Sequence, residues 1–358
     1  MNNSQVLISQ TAAKNQHIIP QTYMRNWCYS GDSVWTINKN KRPYEVVNRN
    51  IESINSINYH YDIKAGDLFT TEDSLDHIFG LLDTYEVYYE SEKLDKALMN
   101  KNFYYFDNWV INHADGRAIK RAERNIIKSK LRSSRYSFIE IEWSAQYENN
   151  WNDFINDVHR KAISMKSGGQ DRLSQDDLDV LMKYLIMFDW RSKSGNSILN
   201  EIIDWFCKIM PEFKTTEIPL QDRIHREDEA IIDELRHALL RKAYYEFLNN
   251  AGSMKTFVDS YLQHLTFVFC ITDNSNPFIT SDNPSYVFTN KQGRREHVLV
   301  ALPTLLLTTC KIMEEGSIII SHLTADEVTY YNKITADNGE QLILPNNDMD
   351  LSSFIEIR

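Results

Sequence analysis

The chain has 358 residues, 42% of them apolar and 25% charged, and a formal net charge of -11. That length outgrows the usual single core, so one large composite domain or two intimately packed ones are predicted. No apolar run reaches the roughly 18 residues that a membrane-spanning helix needs, and the net negative charge argues against broad, sequence-independent coating of nucleic acid while leaving room for a local basic groove.

The start, MNNSQVLISQTAAKNQ, has no basic flank followed by a continuous apolar stretch and no small-residue cleavage site, so it does not read as a secretory signal. Residues 1–14 are expected to form a loosely held leader. Residues 15–70 read as a β-containing segment. Pro20 opens a short helix to Trp27 with Ile19, Tyr23 and Trp27 on its inner face, and SVWTIN (33–38) and PYEVVN (43–48) form a hairpin across NKNKR.

From residue 71 to 264 the period becomes helical. Leu75, Ile78, Phe79 and Leu82 recur after a Thr and an acidic first turn. FYYFDNWVINHADGRAIKRAERNII, WNDFINDVHRKAISM, DDLDVLMKYLIMFDW, SILNEIIDWFCKIM and AIIDELRHALLRKAYYEFL each carry an apolar stripe, and Ser174 with Asp177 forms a capping pair for the third. The basic stretch GRAIKRAERNIIKSKLRSSR (116–135) spreads its cations around a helix with few aromatic residues between them, as a solvated face does. HREDEAIIDE (225–234) resembles a run of metal ligands. Its charges crowd the first turns of a helix, which the dipole favours, and a solvated face is expected there too.

Residues 265–358 read as an antiparallel sheet, TFVFCIT, PFIT, SYVF, HVLVAL, LLLTTC and SIIIS, followed by a closing helix in TADEVTYYNKITAD and a final strand in QLILP. This sheet is expected to pack as one composite unit with residues 15–70. No internal repeat is present. Strands and helices segregate along the chain, so the fold class is α+β. Cys28, Cys207, Cys270 and Cys310 are widely separated and form no C-x-x-C pair, which fits a reducing, cytoplasmic setting without disulfides or a zinc ribbon.

No Walker loop, G-x-G-x-x-G, G-x-S-x-G or H-E-x-x-H occurs. HIIP at 17–20 resembles the start of a ββα-metal nuclease, but Gln16 stands where an acidic residue belongs, the Gly-rich turn is missing and the next histidine is His60. His17 is then a hydrogen-bonded residue at the helix entrance. In PFITSDNPSYVF, Pro284 keeps Asn283 extended and holds Ser281-Asp282-Asn283 at a strand end. Asp282 is either a base or metal ligand, or the acceptor of an Asx turn. Arg191 closes an apolar helix, where it suits the dipole and where its fork is also able to grip a carboxylate or phosphate.

Taken together, HIIPQTYMRNW, SVWTIN and PFITSDNPSYVF resemble the H-x-x-P-x-x-Y-L-[RK]-x-F and F-[IL]-T-S-D-x-P segments of the bacterial domain-of-unknown-function family numbered 4238, over roughly residues 15–340. ALPTLLL and DEVTYYNKIT sit at that family's later strand and closing helix. Met24 and Trp27 replace its usual Leu and Phe, and LPTLLL lacks its Ser-Pro. The resemblance singles out His17, Pro20, Tyr23, Arg25, Thr280, Ser281, Asp282 and Pro284, with Arg191 and Asn332 less strongly. It implies that the two distant motifs meet in space.

Two function classes follow. In the first the chain is a hydrolase, nuclease-like or nucleotide-directed, acting in defence or toxicity. His17, Asp282, Arg25 and Arg191 are its catalytic candidates, Tyr23, Thr280, Ser281 and Asn283 bind substrate, and a divalent metal is an admissible cofactor. In the second the His and Asp motifs are structural, and the chain is a non-catalytic module that binds a small ligand or a protein. The expected partners are a small-molecule or nucleic-acid substrate for the first class, a protein partner or a second copy in a homo-oligomer, and neither class involves a membrane.

Overall fold

The computed structural model describes residues 14–165, 170–192, 197–311 and 317–355, so the expected leader falls outside the described residues except for Lys14. The fold is α+β, with an N-terminal strand region, helices through the middle and a C-terminal sheet. Contacts group the chain into two units, each discontinuous in sequence. One is built from Tyr59–Glu142 and Ile198–Leu248, the other from Asn15–Asn58, Trp143–Ser197 and Asn249–Arg358. They are called unit 1 and unit 2 below.

Unit 2 carries a six-stranded sheet in the order Ser285–Thr289, Arg295–Leu302, Leu305–Lys311, Leu265–Ile271, Ser317–His322, Gln170–Arg172. The expected antiparallel sheet is in fact mixed, because Ser317–His322 lies parallel to Leu265–Ile271. Its place beside Leu305–Lys311 is already taken by Leu265–Ile271, so the returning chain adds at that strand's far edge. Val298 to Ala301 and Leu305 to Leu307 are fully buried, which explains why these strands read as unbroken apolar runs rather than alternating ones.

A second sheet runs Thr280–Ser281, Gln341–Leu344, Ser33–Asn38, Val47–Asn50, antiparallel throughout. The hairpin forms as expected, but its second strand starts at Val47, and Tyr44 and Val46 pack against an apolar cluster that includes Ile37, Ile279 and Leu344. The helix Gln175–Arg191 begins at Ser174, whose hydroxyl accepts from the Asp177 amide at 3.1 Å, and buries Leu178, Leu181, Met182, Leu185 and Ile186.

Unit 1 departs from the sequence expectation. The stretch from Phe103 to Ile127, read as one helix, divides into 3-10 turns over Phe103–Asn108, a strand over Val110–His113 and a helix over Arg121–Ser133. β-Branched Val110 and Ile111 and the turn at Asp115-Gly116, where Gly116 has φ +82°, break the helical run. Val110–His113 pairs with Tyr85–Tyr89, which also pairs with Glu92–Lys93. Phe103, Phe106 and Trp109 wedge into a core shared with Ile78, Phe79 and Leu131.

Candidate functional site

The two sequence motifs lie in unit 2, and hydrogen bonds account for most of their side chains. Tyr23 is fully buried among Trp27, Trp151 and Phe188, with ring centroids 4.8–5.8 Å away. Its hydroxyl donates to the Val300 carbonyl at 2.6 Å and meets Thr280 Oγ1 at 2.6 Å. Burial pushes its phenol well above the usual range, so it remains protonated. Four residues further along, the Trp27 indole donates to the Phe278 carbonyl at 3.1 Å. The family-like segments are thereby tied at Tyr23–Thr280 and Trp27–Phe278.

Arg191 is buried over the Trp143 ring, donates to Glu148 at 2.6 Å and donates to the carbonyl of His17. The imidazole of His17 takes a hydrogen bond from the Gln21 amide at 2.7 Å, and burial holds its pKa below the ordinary value, so it is neutral at pH 7. Arg25 pairs with Asp32 at 3.2 Å on the exposed surface.

The SDNP turn has a similar local explanation. Ser281 Oγ accepts from the Asn283 amide at 3.1 Å and donates to the Asn283 carbonyl at 3.0 Å. The Asn283 amide group donates to the Asn338 carbonyl. Asp282 Oδ1 accepts from the backbone of Glu340 at 2.9 Å and Gln341 at 3.2 Å, which fastens the turn to the strand Gln341–Leu344. Gly339 explains the closeness of that approach: a Cβ there would sit 2.4 Å from Ser281 Cβ. Asn332 anchors the preceding arm through the Ile279 amide and the Pro277 carbonyl. A Ser285–His297 pair at 3.1 Å looks nucleophilic, but both residues are buried and Ser285 donates to the Leu185 carbonyl.

The densest group of ionisable side chains described lies elsewhere, in unit 1, and overturns part of the expected solvated face at 225–234, burying His225, Asp228 and Glu234. Gly66, at φ +91°, shapes the turn Lys64–Asp67, and any larger residue there would meet Ile224 at 2.7 Å. The turn presents Asp67 to Arg241 at 2.7 Å and to His225 Nε2 at 3.0 Å, all three buried. Burial alone would raise the Asp67 pKa, but the guanidinium, His225 and the Lys64 amide more than offset it and hold it at about 2. Lys64 donates to the Ile224 carbonyl, and desolvation brings its ammonium down to about 8.

Around this pair stand two further histidines. His237 Nδ1 donates to Asp228, a carboxylate only 1% exposed, while the His237 side chain is 18% exposed. His60 stacks edge-on against His237 with centroids 5.4 Å apart and faces Glu227 at 3.8 Å. Burial lowers the His60 pKa to about 4. Glu234 accepts from the Tyr104 hydroxyl at 2.6 Å, and burial raises its carboxyl pKa. His225 Nδ1, Asp228 Oδ2 and Arg241 Nε are buried polar atoms without a hydrogen bond, and His60 Nδ1 and Glu227 Oε1 have only each other, at 3.8 Å. Clustered, desolvated, incompletely satisfied ionisable groups mark a functional-site candidate.

The helix Ile231–Leu248 supplies Glu234, His237 and Arg241 at i, i+3 and i+7, the face that also buries Ala238 and Tyr244. Polar residues recurring on an apolar stripe were the available signal in the sequence. Asp233 instead caps the helix by accepting from the Ala230 amide, and Glu229 is exposed, so the solvated reading holds for part of the run. Among the described residues no group of three His, Cys, Asp or Glu side chains is placed to hold a metal ion. No described helix is long and apolar enough to cross a membrane.

No curated protein and no solved structure is detectably similar to the chain. A family model described as "Protein of unknown function (DUF4238)" matches residues 15–349, nearly the whole chain, and the protein belongs to that family.

Proposed function

We propose that the chain is a hydrolase of phosphoesters, nucleotide or nucleic acid in type, with its acid–base chemistry in the unit 1 cluster and with the His17 and Asp282 motifs acting as a clamp within unit 2. The observation that carries this reading is the His237–Asp228 pair. A buried carboxylate on Nδ1 orients the imidazole and leaves Nε2 as the nitrogen for proton transfer, on a side chain that is 18% exposed, the arrangement a general base requires. Lys64 and Arg241 are the cations at hand for developing negative charge. The clamp reading is supported by Tyr23, Arg191, Ser281 and Asp282, whose polar atoms meet partners within unit 2.

The test is turnover of bis(p-nitrophenyl) phosphate and of nucleotides, with magnesium, with manganese and with chelator. His237→Ala is expected to lower the rate by about 10²–10⁴-fold. Asp228→Asn should lower it and shift the pH profile, whereas His17→Ala and Asp282→Asn variants that remain folded should keep a rate within about twofold of the parent. A parental rate in His237→Ala, or loss of rate in a folded His17→Ala, defeats the assignment. The same phosphoester chemistry would serve a defence or toxin role, read as growth arrest on induced expression that His237→Ala relieves.

One observation favours the second class, binding without turnover. Asp67, Glu227, Asp228 and Glu234 outnumber Lys64 and Arg241 in the cluster, and a carboxylate excess suits a cationic or hydrogen-bonding ligand better than a phosphoester. Absence of turnover under all three conditions, with saturable binding of an amine, would establish it in place of the hydrolase.

A further inference from the structure

The stretch 117–135 holds eight Lys and Arg residues and one acidic residue in a protein whose net charge is -11. Folding arranges part of this charge in a line. On the helix Arg121–Ser133, Arg121, Arg124, Lys128 and Arg132 fall at i, i+3, i+7 and i+11, one ridge about 16 Å long at 1.5 Å per residue. The flank of the helix next to the ridge, one turn on from Arg124 and Lys128, buries Ile127 and Leu131 in the unit 1 core. Glu123, the helix's only acidic residue, is turned to the Tyr85 hydroxyl at 2.9 Å and His113 at 3.5 Å.

The ridge is docked against aromatic residues that lie far from it in a linear reading. Arg124 donates to the Phe106 and Asp107 carbonyls at 2.8 Å, Lys128 pairs with Asp107 at 2.5 Å, and both cations lie over the Phe106 ring at 5.5 and 5.7 Å. Phe106 belongs to the turns Phe103–Asn108, which also present Tyr104 at 47% and Tyr105 at 54% exposure. Tyr105 is stacked on Tyr89 with centroids 5.6 Å apart and planes 12° from parallel. Arg121 and Arg132 are exposed and make no ion pair among the described residues.

We infer that this face of unit 1 binds single-stranded nucleic acid, the ridge tracking the phosphates and Tyr104 and Tyr105 offering faces on which unpaired bases stack. A line of cations docked on a turn that also exposes aromatic rings is what a single strand requires. A duplex keeps its bases stacked on each other and has no use for the tyrosines. The net charge of the chain makes such a patch the local groove that the composition leaves room for. Tyr104 also donates to Glu234 of the acid–base cluster, so the two readings share that residue, and they are separated by their tests, binding for this one and turnover for the other.

The experiment is fluorescence anisotropy of the full chain with a labelled mixed-sequence 15-nucleotide DNA, its RNA counterpart and the matching duplex. If four phosphates are neutralised, affinity for the single strand should fall about 50-fold between 50 and 200 mM salt. Arg121→Ala with Arg132→Ala should weaken binding and roughly halve that salt slope. Tyr105→Ala should cost about tenfold or more at unchanged slope, and Tyr105→Phe should restore most of it. His237→Ala should bind as the parent does. Circular dichroism melts confirm that each variant is folded. Absence of saturable binding at 50 mM salt overturns the inference, and so does equal affinity for the duplex or indifference to both the arginine and the tyrosine substitutions.

Discussion

His60 is a titratable group that the fold keeps uncharged, and that has a consequence for pH. Its folded pKa of about 4 lies below its ordinary value of 6.5 because burial penalises the imidazolium. As pH falls, the unfolded chain therefore takes up this proton first. The residue's contribution to stability is full above 6.5 and declines from there to about 4, below which both states are charged and the loss is complete. Asp67, depressed to about 2 from 3.8, adds a further loss only below pH 4. The expected outcome is a thermal midpoint that drops between pH 7 and pH 5, with a shallower drop in His60→Asn, measured by circular dichroism melts in matched ionic strength. A parallel slope in the two proteins would remove His60 as the cause. The residues of this cluster were half legible in advance. Glu234, His237 and Arg241 share a helical face with Ala238 and Tyr244, but Asp67, which they surround, lies 174 positions from Arg241 and carries no local mark beyond a preceding glycine.

At the scale of elements, the short helix Gln21–Met24 and the 3-10 turn Arg25–Trp27 have too few residues to be stable alone. They owe their position to side chains that reach the strands Thr280–Ser281 and Arg295–Leu302. Tyr23→Phe keeps the aromatic packing but removes the hydroxyl, and leaves the Val300 carbonyl and Thr280 hydroxyl buried without that partner. We expect a loss of about 1–3 kcal/mol, read as a lower urea midpoint at unchanged m-value. A variant as stable as the parent would show that the bond contributes nothing to the clamp. Much of this level was legible: the Pro20 helix start, the Ser174 cap, the strand at 33–38 and the segregation of strands from helices all follow from local pattern. The break of the helical run at Phe103–His113 was not, because Phe103, Phe106 and Trp109 satisfy a helical period while their rings are claimed by the unit 1 core. The parallel strand was equally hidden, since direction is set by which edge of the sheet is open and not by the residues of Ser317–His322.

For the whole molecule, the organising fact is that neither unit is a continuous stretch of chain. Arg241→Met leaves Asp67 buried without its guanidinium, while Tyr23→Phe acts in unit 2. Hydrogen exchange read by mass spectrometry should then sort peptides by unit. Protection is expected to fall in 59–142 and 198–248 for Arg241→Met, and in 15–58, 143–192 and 249–355 for Tyr23→Phe. Loss spread evenly over both sets would mean a single cooperative body. The sheet of unit 2 also places Ser33–Asn38 between Val47–Asn50 and Gln341–Leu344. A ribosome makes the first two in quick succession and the third about 300 residues later, some 15–60 s at 5–20 residues per second. For that interval one rim of the early hairpin offers bare amides and carbonyls to any neighbouring nascent chain. Translation halted short of Gln341 would leave the rim open for good, so truncated products of this gene are expected to aggregate or to be held by chaperones.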